Sequence, residues 1–342
     1  EPAARKGIDL VTSNVMARWG TRDTWYLLGF LGGAAVLLFV GRDWLPASSA
    51  TTWGISFISA AAAVVLVVAL LRVQEELRTS QSLLARQQMD LEFAREVQAA
   101  LFPKELPTDR GLDFAAVCIP AAGISGDYYD VIETTDGRVV FLVGDVSGKG
   151  VSAAILMANL HGRLRALVET CTSTAEICTL LNRHLVAFTE PERFVTLFLA
   201  QCRPGTPVME YVNAGHEIPF CLDGDIKRLE EGGLPLGILE DAEYSAGSLE
   251  LREGSLLALY SDGITESMNA QQEEFGVERL KGLLLENRRR SLQEIQQVIL
   301  QSVRAWSGKP PSDDMTLMLI RVRDLAALQR GGPSANPGSG VG

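Results

Sequence analysis

The stretch "RVVFLVGDVSGKGVSAAILMA", residues 138–158, decides how this chain is read. Residues 138–146 are short, mostly apolar and rich in Val, which predicts a buried strand. Residues 150–169 carry a helical pattern. Between the two, a bare carboxylate, Asp145, sits among Gly144, Gly148 and Gly150. An unpaired buried charge is expensive, so something must compensate it. The loop is not a phosphate cradle. Such a loop needs four residues between its glycines, then Lys and Ser or Thr, whereas three residues separate Gly144 from Gly148 and Gly150 follows Lys149. A turn that holds a cation and then starts a helix fits better.

Working outward, an acidic residue where a strand meets a turn recurs in "SGDYYD" (125–130), "LYSDGIT" (259–265) and "PSDDMTL" (311–317). Asp127, Asp262, Asp313 and Asp314 therefore join Asp145 as candidates. Converging carboxylates repel one another unless a hard divalent cation gathers them. The motifs offer oxygen ligands and neither Cys nor His, which suits Mn²⁺ or Mg²⁺ better than zinc. A single loop Asp is ordinarily a turn former or helix cap. That reading is kept for Asp130 and for Asp136, which precedes Gly137 in the hairpin turn "TDGR".

Further strands are predicted at 112–119, 193–202, 208–215, 255–263 and 314–322, and helices at 174–188, 276–286 and 291–306. Strands come in runs and helices in pairs, which predicts an α+β fold of antiparallel sheets covered by helices. With 342 residues, 47% of them hydrophobic and 21% charged, the chain can bury a real core. A net charge of −11 argues against a nucleic-acid-binding surface. The five cysteines form no CxxC pair and read as small buried hydrophobes, not as disulfides or a zinc site.

The first third of the chain is different. "WYLLGFLGGAAVLLFVG" (25–41) and "WGISFISAAAAVVLVVALL" (53–71) contain no charge. A helix of the second length reaches roughly 28 Å, close to a bilayer's hydrocarbon core. Trp25, Tyr26, Trp44 and Trp53 flank the runs as an aromatic belt would. Arg and Lys gather before the first run and after the second, while the connecting loop holds only Arg42. The expectation is a transmembrane hairpin in a bacterial inner membrane with both ends in the cytoplasm. Residues 1–24 form an N-terminal segment and 72–107 a linker helix, with Leu77, Leu84 and Leu91 on an imperfect heptad that predicts a homodimeric coiled coil. Pro103 and Pro107 end it, 108–324 form the globular domain, and 325–342 a flexible tail.

The motifs "SGDYYD", "GDVSGKGVSAAILMA", "NAGHEIPF", "GLPLGI", "LYSDGITE" and "DDMTLMLI" occur in this order. Together, over roughly residues 92–323, they resemble the SpoIIE/RsbU-like branch of the metal-dependent (type-2C, PPM) protein serine/threonine phosphatases. The entry segment "FAREVQAALFPKELP" (93–107) is similar as well. The resemblance implies two antiparallel sheets packed as a sandwich flanked by helices, with two Mn²⁺ or Mg²⁺ ions in the cleft. Asp145 would bridge both ions, the Val146 carbonyl would add a ligand, Asp262 and Asp313 would complete the first, and Asp127 would support the second. Asp314 would help a third, weaker ion. Activated water would hydrolyse phosphoserine or phosphothreonine with no covalent enzyme intermediate, the implied substrate being a phosphorylated anti-anti-sigma (STAS-type) regulator.

Ser147 stands where eukaryotic relatives carry a proton-donating His, and no motif matches their phosphate-holding Arg. Lys149 and metal-bound water are the remaining candidates. His216, in "NAGH", is either a loop-orienting residue near the cleft or a hydrogen-bonded turn His. "GLPLGI" (233–238) is either part of a regulatory switch with the helices after Asp145 or a plain connector. Two other classes stay open: a non-catalytic membrane scaffold, and a two-metal phosphatase of small phosphate esters.

Overall fold

The computed structural model describes residues 33, 47–107, 111–121, 123–148, 150–189 and 193–329. The chain divides into two units between Arg86 and Gln87. Helix α1 (Ala47–Ala99) begins in the first and ends in the second. No Gly or Pro interrupts residues 55–99, so the helix runs through the expected boundary at 72 without a break. It stops at Ala99, ahead of Pro103.

Among the described residues no helix is long and apolar enough to cross a membrane. The apolar run 25–41 lies, apart from Gly33, outside the described residues, so the expected hairpin is not seen as a pair of spans. On α1, Trp53, Ile58, Val64, Leu70 and Leu71 are exposed, and so are Leu77, Leu84 and Leu91.

The second unit contains β1 (Leu112–Ile119), β2 (Asp127–Glu133), β3 (Val139–Val146), α2 (Val151–Thr170), α3 (Thr174–Phe188), β4 (Val195–Cys202) and β5 (Val208–Ala214). There follow β6 (Phe220–Asp223), β7 (Asp225–Arg228), β8 (Gly232–Gly233), β9 (Gly247–Glu250), β10 (Leu256–Tyr260), α4 (Asp262–Thr265), α5 (Val277–Asn287), α6 (Leu292–Ser307), β11 (Met315–Val322) and α7 (Leu325–Gln329). One sheet has the order β1-β11-β10-β6-β7; the other runs β2-β3-β4-β5-β8, with β9 also on β5. All pairings are antiparallel except the short β5–β8 contact.

Period-two alternation builds the layers. Val139, Phe141 and Val143 of β3 join Phe198, Leu257, Leu259, Met318 and Ile320 in the core between the sheets. Val140 and Leu142 of the same strand face the other way, onto Leu160 and Leu164 of α2 and Ile177 and Leu181 of α3. On the outer face of the β1-β11-β10-β6-β7 sheet, Ala258, Leu317 and Leu319 meet Leu280 and Leu284 of α5 and Ile295 and Ile299 of α6. Four layers result, helices outside and two sheets inside, as expected.

The structure corrects three expectations. "SGDYYD" is not only a turn: Asp127 opens β2, whose polar residues hid it from a search for apolar runs. Asp130 on that strand is fully buried and accepts two hydrogen bonds of 2.9 Å from the Arg165 guanidinium and one of 2.6 Å from the Tyr128 hydroxyl. The supposed tail begins with α7, which buries Leu328 in the core between the sheets with Leu325 packed beside it; residues 330–342 lie outside the described residues. The five cysteines are free, and four of them are buried.

Candidate active site

Antiparallel pairing explains why the acidic residues meet. The start of one strand and the end of the next lie at the same edge of a sheet. Asp127, first in β2, is the register partner of Asp145, near the end of β3. In the facing sheet, Asp262 follows β10 and Asp313–Asp314 precede β11. A 3.0 Å bond from Ser261 N to Thr316 O holds those two segments together. A side chain on Gly263 would sit 2.0 Å from the Asp314 carbonyl oxygen, so α4 can start there only with glycine.

The electrostatics show the convergence. Burial first, then Asp262, Asp313 and Asp314, push the Asp145 carboxyl up to about 7. Burial, then the neighbouring Asp145, holds the Asp127 carboxyl well above the usual range. Asp127 is 1% exposed. The hydroxyls of Ser261 and Thr316 lie close enough to oppose its shift, but Oδ2 has no hydrogen-bond partner. Sequence reading missed two further acids at this edge, Glu217 in "NAGHEIP" and Glu266 in "SDGITE". Burial and then Asp262 raise both carboxyls.

Asp314 has a distinct task. Its Oδ1 accepts from Ala121 N at 2.7 Å, and its Oδ2 accepts from Gly126 N at 2.6 Å and from the Ser125 hydroxyl at 2.9 Å. It therefore ties the loop before Asp127 to the other sheet. A side chain on Gly126 would lie 3.0 Å from the Val146 carbonyl oxygen and 3.2 Å from Asp145 Oδ1. That carbonyl thus faces the same space as the acids.

Among the described residues no three His, Cys, Asp or Glu side chains stand together as a group that could hold a metal ion. The donor set nevertheless fits a hard cation. It is all oxygen, its charges repel one another, Asp145, Asp262 and Asp313 are half-buried, and Asp127 Oδ2 is a buried carboxylate oxygen left without a partner.

The remaining candidates separate. Lys149 lies outside the described residues. Ser147 is structural: its N–H donates to Phe194 O and its hydroxyl accepts from Phe194 N, both at 2.9 Å. His216 is buried, and burial pushes its imidazole down to about 4. Its Nδ1 lies 2.9 Å from the hydroxyl of Thr196, the register partner of Asp145. It braces the strand beside the site as a neutral turn residue. His161 and His184 pair with Tyr128 and Asn159. Arg193, which no motif signalled, lies against the glycine loop. Its Nη1 is 3.1 Å from Ser152 Oγ, and a side chain on Gly148 would come within 3.2 Å of it.

"GLPLGI" is more than a tether. Leu236 exchanges two 2.8 Å backbone bonds with Val195, at the start of β4. Asn182 of α3 accepts from Gly237 N at 2.8 Å and donates to Leu239 O at 2.7 Å. The segment thus joins α3 to the strand beside Asp145.

A family model described as Stage II sporulation protein E (SpoIIE) matches residues 135–323. The chain belongs to the SpoIIE family. It is 31% identical over 237 residues to "Phosphoserine phosphatase RsbU" of Bacillus subtilis, covering 68% of this chain and 70% of that protein. It is 26% identical to "Phosphoserine phosphatase RsbP" of the same organism over 52% of this chain and 45% of that one. Among solved structures, the SiaA-PP2C domain of Pseudomonas aeruginosa superposes with a TM-score of 0.62 at 19% identity, over 69% of this chain and 98% of that one. The PP2C phosphatase domain of Bacillus subtilis SpoIIE, with a fragment of its regulatory domain, gives 0.55 at 23% identity over 62% and 63%. The likeness to these structures is one of fold. This SpoIIE-family domain is a protein serine/threonine phosphatase, and its fold is that of PP2C domains.

Proposed function

We propose that the chain is a membrane-anchored, divalent-metal-dependent phosphatase of a small phosphorylated regulator, with phosphoserine or phosphothreonine as the scissile group. The observation that carries this reading is the meeting of Asp127, Asp145, Asp262 and Asp313 at one edge of both sheets, with Asp127 Oδ2 buried and unpartnered. Mn²⁺ or Mg²⁺ would be held by these four carboxylates and the Val146 carbonyl, with Asp314 holding the loop that presents Asp127. When bound, such ions supply charge for phosphate oxygens and lower the pKa of water. Without that positive charge, burial and the neighbouring acids raise the Asp145 and Asp127 carboxyls, so bound cations would favour the ionised form of these two residues. Arg193, poised against the glycine loop, is the cation proposed to receive the substrate phosphate.

A STAS-type regulator as substrate rests on the sequence resemblance and on the likeness to RsbU. Membrane anchoring rests on the uncharged runs 25–41 and 53–71 and on the exposed apolar side chains of α1. Dimerisation rests on exposed Leu77, Leu84 and Leu91 at heptad spacing.

The test is phosphate release from a phosphoserine protein by the full chain, with and without Mn²⁺, beside Asp145→Asn. Metal-dependent release that the substitution abolishes is expected. Release without metal, or undiminished in Asp145→Asn, defeats the reading. Membrane flotation of the full chain tests the anchor separately.

A further inference from the structure

Gln98 is the buried residue in a stretch of α1 that is otherwise solvent-facing; Arg95, Glu96, Val97 and Ala99 around it are exposed. Its carboxamide pairs with both backbone groups of a single residue. Nε2 donates to Ser125 O at 2.6 Å, and Oε1 accepts from Ser125 N at 2.9 Å. Ser125 is itself fully buried. Its hydroxyl accepts from Asp127 N at 3.0 Å and donates to Asp314 Oδ2 at 2.9 Å. Asp314 holds Gly126 N and Ala121 N as well. One unbroken set of hydrogen bonds therefore runs from the last turns of α1 to Asp127. Gln98 Nε2 also lies 3.8 Å from Met157 Sδ on α2, the helix that follows the Asp145 loop. The proposed chemistry uses no atom of Gln98, yet the side chain holds the loop that delivers Asp127 and touches the helix that follows Asp145.

We propose that Gln98 is the positioning residue of the acid cluster, fixing the Ser125–Asp127 loop in the geometry that receives a divalent cation. Metal affinity then depends on how the last turns of α1 are seated, which makes this helix an input to the site. The inference rests on the metal-dependent reading above. Its physical basis is that a primary amide can donate to a carbonyl and accept from the N–H of the same residue at once. An aliphatic side chain leaves both groups buried and unpaired. A carboxylate restores the acceptor alone.

The experiment is calorimetric titration of the full chain with Mn²⁺ alone, together with amide hydrogen exchange, for wild type, Gln98→Leu, Gln98→Glu and Asp145→Asn. Gln98→Leu is expected to weaken Mn²⁺ binding at least about 10-fold and to speed exchange at Ser125 and Gly126. Gln98→Glu should fall between it and wild type, and KM for a phosphoprotein should not change. Mn²⁺ affinity within about twofold of wild type in folded Gln98 variants, alongside loss in Asp145→Asn, overturns the proposal and leaves the metal site standing. If Gln98→Leu does not fold, Gln98→Glu decides. A wild type whose Mn²⁺ binding Asp145→Asn leaves intact overturns the metal reading and this proposal with it.

Discussion

Raising the pH of the metal-free protein from 5 to 8 should destabilise its catalytic unit, with Asp145 as one contributor. The sign follows from linkage. The Asp145 carboxyl has the ordinary 3.8 of an exposed aspartate when unfolded and is raised to about 7 when folded. Between those values the folded state holds a proton that the unfolded state has lost, so stability falls as pH rises. Each pKa unit is worth about 1.4 kcal/mol, which gives roughly 4 kcal/mol in all. Most of that, roughly 3 kcal/mol, falls between pH 5 and 8. For a unit of this size it corresponds to a drop in Tm of roughly 5 to 10 °C. Asp127, raised in the same direction, adds to the effect. The assay is thermal melting after chelation, at several pH values, of wild type and Asp145→Asn. The neutral amide should flatten the profile, and Mn²⁺ should restore wild-type stability at pH 8. A wild-type profile as flat as that of Asp145→Asn, or one rising with pH, would refute the reasoning.

Three other outcomes follow from the packing. Asp130→Ala removes a fully buried carboxylate that holds Arg165, Tyr128 and Val131 N; because Arg165 is 44% exposed and can turn to water, a loss of roughly 2–4 kcal/mol in urea melts is expected. Gly263→Ala forces a methyl group to 2.0 Å from the Asp314 carbonyl oxygen; activity should fall at least about 100-fold as Asp262 and Asp314 are pushed apart, read as initial rates at saturating Mn²⁺. Ser291→Ala breaks the capping box with Glu294 at the start of α6, far along the chain from the acids; stability should drop by about 1 kcal/mol with phosphatase rates unchanged.

The cleanest sequence signals were those in which one chemical pattern serves one structural purpose. The apolar runs at 112–119 and 174–188 coincide with β1 and α3, because burial and periodicity select the same residues. Asp127, Asp145, Asp262 and Asp313 were legible as a group because each breaks an apolar or glycine-rich context. β2 was not legible. Its Asp130 is inward-facing and satisfied by Arg165, 35 residues away, a compensation that no local pattern contains. Arg193 and Gln98 were hidden for the same reason, since each acquires its place only through contacts with distant loops.

By itself, then, the sequence determined the layers and the acidic motifs, since hydrophobic period and glycine placement are local properties of the chain. Tertiary structure decided what those acids face. Antiparallel register set Asp127 opposite Asp145. Sheet-on-sheet packing brought Asp262, Asp313 and Asp314 within electrostatic reach of that pair. It also separated Asp314, whose oxygens hold a loop, from Asp127, whose Oδ2 has no partner. Charge repulsion and desolvation act through space, so the property that makes these residues a site exists only once the two sheets are closed on each other.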